Sequence, residues 1–399
     1  MKIGIIKEEK IPQDARTPLT PLQCAEVNGK GDHKIVVQSS NVRCFSDSEF
    51  VHDGVQLTDT VEDCDILLGV KEVPIDALIP NKTYFFFSHT IKKQTYNREL
   101  LRAVIEKNIT LIDYEVLTDR NGMRLIAFGK FAGMVGAHNA LWTYGKRTGT
   151  LVLPRMGECL DYKEVKNFYE NTPFPECRIV LTGTGRVANG AARVLDDMGF
   201  RKVSASDFKR LPAMERVYTQ IGILDYAEKK DGSPFSKQDY FDHPAEFNIK
   251  FDAFYSSADI MINGIYWESN APAFFSLKEM SSANFNIKVI ADITCDIAPV
   301  SSIPSTLTAT TIKDPVFGFN PVSHSKTEPY LSDGIDMMAI DNLPNELPRD
   351  ASEAFGEQFF KSILPELNNP HSDILDRGTI ARNGKLTQHF MYLANYIAD

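Results

Sequence analysis

Residues 178–207 read RIVLTGTGRVANGAARVLDDMGFRKVSASD, and the order of residue types in this stretch decides the fold. Ile179-Val180-Leu181 is a short apolar, β-prone run, followed by Gly183-Thr184-Gly185-Arg186-Val187-Ala188, a G-x-G-x-x-A loop. Val187, Ala191, Val194, Leu195 and Met198 then fall on one helical face. Gly199 closes the helix, and residues 202–206 read as a second strand ending at Asp207. Strand, glycine turn, helix, strand and acid, in this order, are the context of a dinucleotide fingerprint.

Each position has a physical task. Gly183 permits the tight turn, Gly185 lets a pyrophosphate approach the backbone, and Ala188 lets the helix pack close to the strand. The helix start offers unpaired N–H groups and a positive dipole end to phosphates. Asp207 is placed to accept hydrogen bonds from an adenine ribose and to repel a 2′-phosphate, which predicts NAD rather than NADP. Lys209 and Arg210 follow at once and pull the other way. The competing reading is a tight turn in an ordinary α/β unit; the flanking strand, helix and acid favour the cofactor.

Upstream, strands and helices alternate. Strands are predicted at 2–6, 35–38, 66–70, 84–87 and 110–114, with helices at 19–27 and around Leu100, Leu101, Val104 and Ile105. This βαβ series predicts a mostly parallel sheet with helices on both faces, in a domain separate from the fingerprint. Ligands of such sheets sit beyond the carboxyl ends of the strands. Arg16, Lys71, Glu72, His89, Glu115 and Arg124 all follow strand ends here, so they converge on one rim. Taken singly, each also reads as a solvated loop charge, a strand terminator or a helix cap.

Length and composition set bounds. At 399 residues the chain can make two or three domains. A formal net charge of −10 argues against nucleic acid and anionic membranes as partners. No apolar run approaches the ~20 residues of a membrane span, and MKIGIIKEEK is charged too early for a signal peptide. The six cysteines are scattered without a C-x-x-C pair. Neither a zinc site nor a disulfide framework is indicated, no metal is expected, and the compartment reads as reduced and cytoplasmic. There is no internal repeat and no low-complexity tract.

Residues 129–149 look helical, with Gly129 and Gly133 allowing close backbone contact, and read as a bridge between the domains. His138 on this helix is expected to pack rather than ligate. Residues 162–169 read as a short helix. Beyond Asp207 a long polar section to about Lys250 reads as a local insertion, with a turn at 228–234. Residues 259–263 and 288–293 are two further buried strands ending toward the cofactor rim. Tyr266, just past the first, is placed to flank adenosine or nicotinamide, or simply to pack. Asp350 and Glu353 have capping-box spacing for a helix through Phe359, Phe360 and Leu364.

Several segments carry a family resemblance. They are Asp14-Ala15-Arg16-Thr17-Pro18-Leu19-Thr20-Pro21, Gly69-Val70-Lys71-Glu72-Val73-Pro74, Phe87-Ser88-His89, 122–133, Ile262-Asn263-Gly264-Ile265-Tyr266 and 340–352. In these the chain resembles the alanine dehydrogenase and transhydrogenase N-terminal superfamily. Within it the likeness is greatest to the lysine-forming, NAD-dependent saccharopine dehydrogenases. The resemblance implies an α/β fold of two Rossmann-like, doubly wound parallel-sheet domains with a cleft between them. The expected division is 1–138 plus 342–399 as a discontinuous substrate domain, and 139–341 as the NAD-binding domain. It also implies Lys71 as catalytic base and His89 as acid. Arg16, Gln94, Arg124 and Phe128 match substrate-side positions. Gly183, Gly185, Arg186, Asp207, Tyr266, Ile293, Ile340, Asp341, Asn342 and Leu343 match cofactor-side ones. Met123-Arg124 stands where the family carries an arginine pair.

The implied reaction is oxidative cleavage of saccharopine to L-lysine and 2-oxoglutarate, or its reverse. The expected partner is a small molecule with several carboxylates, which arginine grips bidentately. The expected assembly is a monomer or small homo-oligomer. Alternatives are an alanine dehydrogenase-like enzyme, a transhydrogenase-like subunit and a non-catalytic NAD-binding protein.

Overall fold

The computed structural model describes residues 1–212 and 215–398. The chain divides into two compact units, Met1–Phe128 with Pro348–Asp399, and Gly129–Leu347. The first boundary therefore lies at 128 rather than 138, and the return at 348 rather than 342. The reason is local. Helix Gly129–Thr148 lies whole in the second unit, pressed against helix Arg186–Asp197. A Cβ on Gly133 would stand 1.8 Å from the Val187 carbonyl oxygen, and one on Gly190 2.0 Å from that of Lys130. Only glycine lets the two backbones approach this closely.

The first unit holds strands β1 (Lys2–Ile5), β2 (Lys34–Gln38), β3 (Gln56–Thr58), β4 (Ile66–Leu68), β5 (Thr83–Phe86) and β6 (Thr110–Asp113). The second holds β7 (Arg178–Thr182), β8 (Arg201–Val203), β9 (Val217–Ile221), β10 (Ala227–Lys229), β11 (Phe247–Ile249), β12 (Ile260–Asn263), β13 (Val289–Asp292), β14 (Val316–Asn320), β15 (Ser325–Thr327) and β16 (Ile335–Met338). The chain then returns to the first unit with β17 (Thr379–Arg382) and β18 (Lys385–Leu386).

The first sheet runs β18-β17-β6-β5-β4-β1-β2-β3, parallel from β6 to β3, with β17 added antiparallel at the edge. Both faces are buried, as parallel sheets require. Alternation along β5 shows this: Phe85 joins Ile3, Ile5 and Leu68 on one face, beneath Phe355 and Phe359 of helix Pro348–Ser362. Tyr84 and Phe86 join Leu67, Leu101 and Val104 on the other. The returning helix is tied down by Arg349, which donates to Glu49 (2.6 Å) and to the Cys44 carbonyl (2.8 Å).

The second sheet runs β15-β14-β16-β13-β12-β7-β9-β8, with β14 and β15 antiparallel. Here the structure overturns one expectation. The polar section after Asp207 is not merely an insertion. Its residues Val217-Tyr218-Thr219-Gln220-Ile221 form β9, which pairs in parallel with β7 and separates it from β8. The run has the β-branched and aromatic character of a strand, but charged flanks conceal it. Only the remainder, β10, β11 and helix Lys237–Asp242, forms a small local hairpin element.

Candidate functional site

Strand ends of the first unit carry a crowded set of ionisable groups. Lys71 and Glu72 follow β4, and His89 follows β5. Glu72 binds the His89 ring through Nδ1 at 2.5 Å and the Lys10 ammonium at 2.6 Å. His89 itself sits in the left-handed region at φ 53°. A non-glycine residue is strained there, and such strain concentrates at functional positions. The turn before it is held by buried Asp113, which accepts from the Ser88 backbone N–H (2.9 Å) and hydroxyl (2.5 Å).

Glu8, beyond β1, accepts from the backbone N–H of Val70 (2.6 Å) and of Lys71 (2.9 Å), which fixes where Lys71 leaves the sheet. The Arg16 guanidinium is 2% exposed and grips Asp14 through Nε (2.9 Å) and an Nη (2.5 Å). It also lies 4.2 Å above the Phe128 ring, which stacks on Phe355.

This packing shifts protons. Burial lowers the Lys71 ammonium to about 8, helped by the cations of Arg16 and Lys10 and opposed by Asp14 and Glu72. Burial alone would raise Glu72, but the hydrogen bonds and charges of His89 and Lys10 bring it down to about 2. Glu8 is pushed up to about 7, chiefly by burial. The result is a lysine able to shed its proton near neutrality beside a histidine anchored by a firmly ionised carboxylate.

Lys71, Glu72, His89 and Arg16 thus share one rim, with Phe128 under the Arg16 guanidinium. Arg124 lies half exposed and donates to Glu115 at 2.9 Å. Gln94 is exposed and accepts from the Tyr96 hydroxyl at 2.5 Å. Glu8, Lys10 and Asp14 were missed as site residues. Their one sequence signal was position, since they too follow a strand end.

In the second unit the glycine loop follows β7. Gly183 has φ +102°, and a Cβ there would stand 2.6 Å from the Gly264 carbonyl oxygen, so the tight turn admits only glycine. Gly185 precedes helix Arg186–Asp197, and a Cβ added to it would meet nothing within 4 Å. An open face beside a helix start fits a pyrophosphate. Beneath the loop runs a buried polar chain. Thr182 donates to Asn263 (2.7 Å), and Asn263 donates to Asp292 (2.9 Å) and Ser302 (3.0 Å). Thr306 donates to Asp292 at 2.6 Å. Burial raises Asp292 to about 6 despite these bonds.

Ile293 and Leu343 meet at Gly136 of the long helix, where a Cβ would stand 2.4 Å from Ile293 Cδ1. Ile340 is buried, and Asp341 and Asn342 follow it toward the surface. Tyr266 is 76% exposed and lines a cleft with Gly183 and Gly185. Asp207 is not among the residues lining this cleft. It lies on the short helix Ala205–Phe208 after the edge strand β8, where Ser204 caps it through its N–H and its carboxylate. His138 packs as expected: buried, bonded to the Tyr169 hydroxyl (2.7 Å) and the Pro154 carbonyl (2.8 Å), and lowered by burial to about 4.

Comparison with known proteins fits this architecture. Residues 4–135 match the family described as alanine dehydrogenase/PNT, N-terminal domain. The saccharopine dehydrogenase [NAD(+), L-lysine-forming] of Emericella nidulans is 27% identical, over 90% of this chain and 90% of its own. The resemblance drawn from the sequence holds. An alpha-aminoadipic semialdehyde synthase of Arabidopsis thaliana is 32% identical over 98% of this chain, but the match covers 41% of that protein. The chain thus spans less than half of that relative. A solved L-alanine dehydrogenase superposes over 100% of this chain and 99% of its own with a TM-score of 0.69 at 16% identity, a likeness of fold. Among the described residues, no helix is long and apolar enough to cross a membrane.

Proposed function

We propose that the chain is an NAD-dependent oxidoreductase of CH–NH bonds that interconverts saccharopine with L-lysine and 2-oxoglutarate. The observation that carries this reading is the Lys71 amine, brought to about 8 at a strand end beside the Glu72–His89 pair. Oxidising a secondary amine removes hydride from carbon and a proton from nitrogen. The dinucleotide supplies the hydride acceptor, and the Gly183–Gly185 turn with its open face fits such a ligand.

Lys71, once neutral, takes the amine proton as the C=N bond forms. A base titrating near working pH suits that step. Water then adds to the imine carbon. His89, held in orientation by Glu72, moves protons as the carbinolamine collapses, releasing the lysine amine and leaving the 2-oxoglutarate carbonyl. Arg16, Gln94, Arg124 and Phe128 are the proposed substrate side, since saccharopine carries three carboxylates. Gly183, Gly185, Arg186, Tyr266, Ile293 and 340–343 are the proposed cofactor side.

NADH oxidation, assayed with lysine plus 2-oxoglutarate and separately with pyruvate plus ammonia, tests the reading. Turnover is expected only with the first pair. Turnover with the second would make the chain an alanine dehydrogenase-like enzyme, and turnover with neither would remove the catalytic reading.

A further inference from the structure

The strand order relocates the adenosine end of the cofactor site. In a doubly wound unit the ribose lies beyond the carboxyl end of the strand beside the glycine-loop strand. By chain order that strand would be β8, ending near Asp207. By hydrogen bonding it is β9: Thr182 aligns with Ile221, and the Gly183 N–H donates to the Ile221 carbonyl at 2.8 Å. The Gln220 amide donates to the Gly183 carbonyl (3.1 Å) and to Asn189 Oδ1 (3.0 Å) of the helix that follows the loop. The β9 tip, Gly222-Ile223-Leu224-Asp225, is therefore stitched to the loop. β8 is a strand further out, about 10 Å from β7 at the usual spacing of sheet strands.

The Asp225 carboxylate is exposed and turned back toward that tip, where Oδ2 accepts from the Gly222 N–H at 2.8 Å. A cleft of about 250 Å³ opens between the glycine loop, Gly222 and Ile223 of this tip, and Tyr266, and the Asp225 carboxylate lies next to Gly222, 3.9 Å from where a Cβ there would stand. Its far wall comes from the hairpin element that follows β9, through Lys237, Tyr240 and Phe241. Phe241 is 46% exposed, an apolar ring left in solvent beside an open slot. Flat aromatic faces pair well with a stacked ring.

We infer that β9 and the hairpin element after it, rather than β8, read the adenosine half of the dinucleotide, with Asp225 on the ribose hydroxyls and Phe241 against the adenine. This rests on the dinucleotide-binding part of the proposed function. The segment after Asp207 thereby acquires a task, since it closes one side of the cofactor cleft. The Asp225 carboxylate would also repel a 2′-phosphate, which makes it the residue that sets NAD over NADP.

Fluorescence titration of the full chain with NADH, NADPH and AMP tests this on Asp225→Ala, Asp225→Asn, Phe241→Ala and Asp207→Ala, with circular dichroism melts to check folding. Asp225→Ala should weaken NADH about tenfold or more, the scale of hydrogen bonds to a charged group. Both Asp225 variants should narrow the gap between NADH and NADPH. Phe241→Ala should weaken AMP and NADH by the same factor, and Asp207→Ala should leave the NADH-to-NADPH ratio unchanged. A ratio that moves with Asp207 but not with Asp225 overturns the inference, as does AMP affinity indifferent to Phe241. A parent protein that binds NADH with this pattern but turns over no amino acid would remove the catalytic reading and leave this one standing. A parent that binds none of the three ligands removes both.

Discussion

The two units share a doubly wound plan yet furnish their strand ends in opposite ways. In the first, Glu8, Asp14, Arg16, Lys71, Glu72 and His89 crowd one rim, where burial and neighbouring charges shift the protons of Glu8, Lys71 and Glu72. In the second, glycine loop and aromatic side chains line a cleft that carries Lys237 and Glu268, above a buried chain of Thr182, Asn263 and Ser302. A rim that must exchange protons needs ionisable groups held partly out of water. A rim that admits a pyrophosphate needs open backbone at a helix start. The same fold serves either task because the sheet fixes only where side chains emerge, not what they are.

The strongest way to break this contrast is at Lys71. Lys71→Met should lower kcat by roughly 10²–10⁴-fold, the scale of general acid–base catalysis, while NADH affinity measured by titration stays near the parent value. His89→Gln should cost less, because water replaces an acid more readily than a positioned base. Parent-like turnover in the double variant would detach the charged rim from the chemistry.

A second test asks whether the charged rim holds itself together. Arg16→Ala removes the guanidinium that offsets the buried Asp14 carboxylate, and breaking such a pair costs about 3–5 kcal/mol. Urea unfolding should register that loss. An unchanged unfolding midpoint with a raised KM for the amino-acid substrate would instead mean that Arg16 serves the substrate and not the fold.

The smallest expected effect is a pH dependence. Lys71 must be neutral to accept a proton, so the oxidative rate should rise with pH through a limb centred at about 8. The sign for stability follows from the same shift. The folded value lies below the ordinary 10.5, so between about 8 and 10.5 the unfolded chain binds the extra proton and folding stability rises with pH. Lys71→Met should flatten both. A limb that survives the substitution belongs to another group.

Much of this was legible in the chain because it is local. The glycine turn with its helix, the alternation Tyr84-Phe85-Phe86 that buries both faces of a strand, and Lys71 and His89 just past strand ends all depend on residues within one or two turns of each other. The polar stretch around β9 defeated local reading, since five strand-like residues among charges do not say which neighbour they will pair with. That choice depends on helix Arg186–Asp197 crossing to β8 and leaving a gap beside β7 that β9 fills. The partners of Lys71 were hidden for the same reason. Glu8 reaches its backbone and Lys10 reaches Glu72 across some sixty residues of chain. Side-chain periodicity is written in sequence, whereas strand order and long-range charge pairing come only from the global packing that brings distant segments side by side.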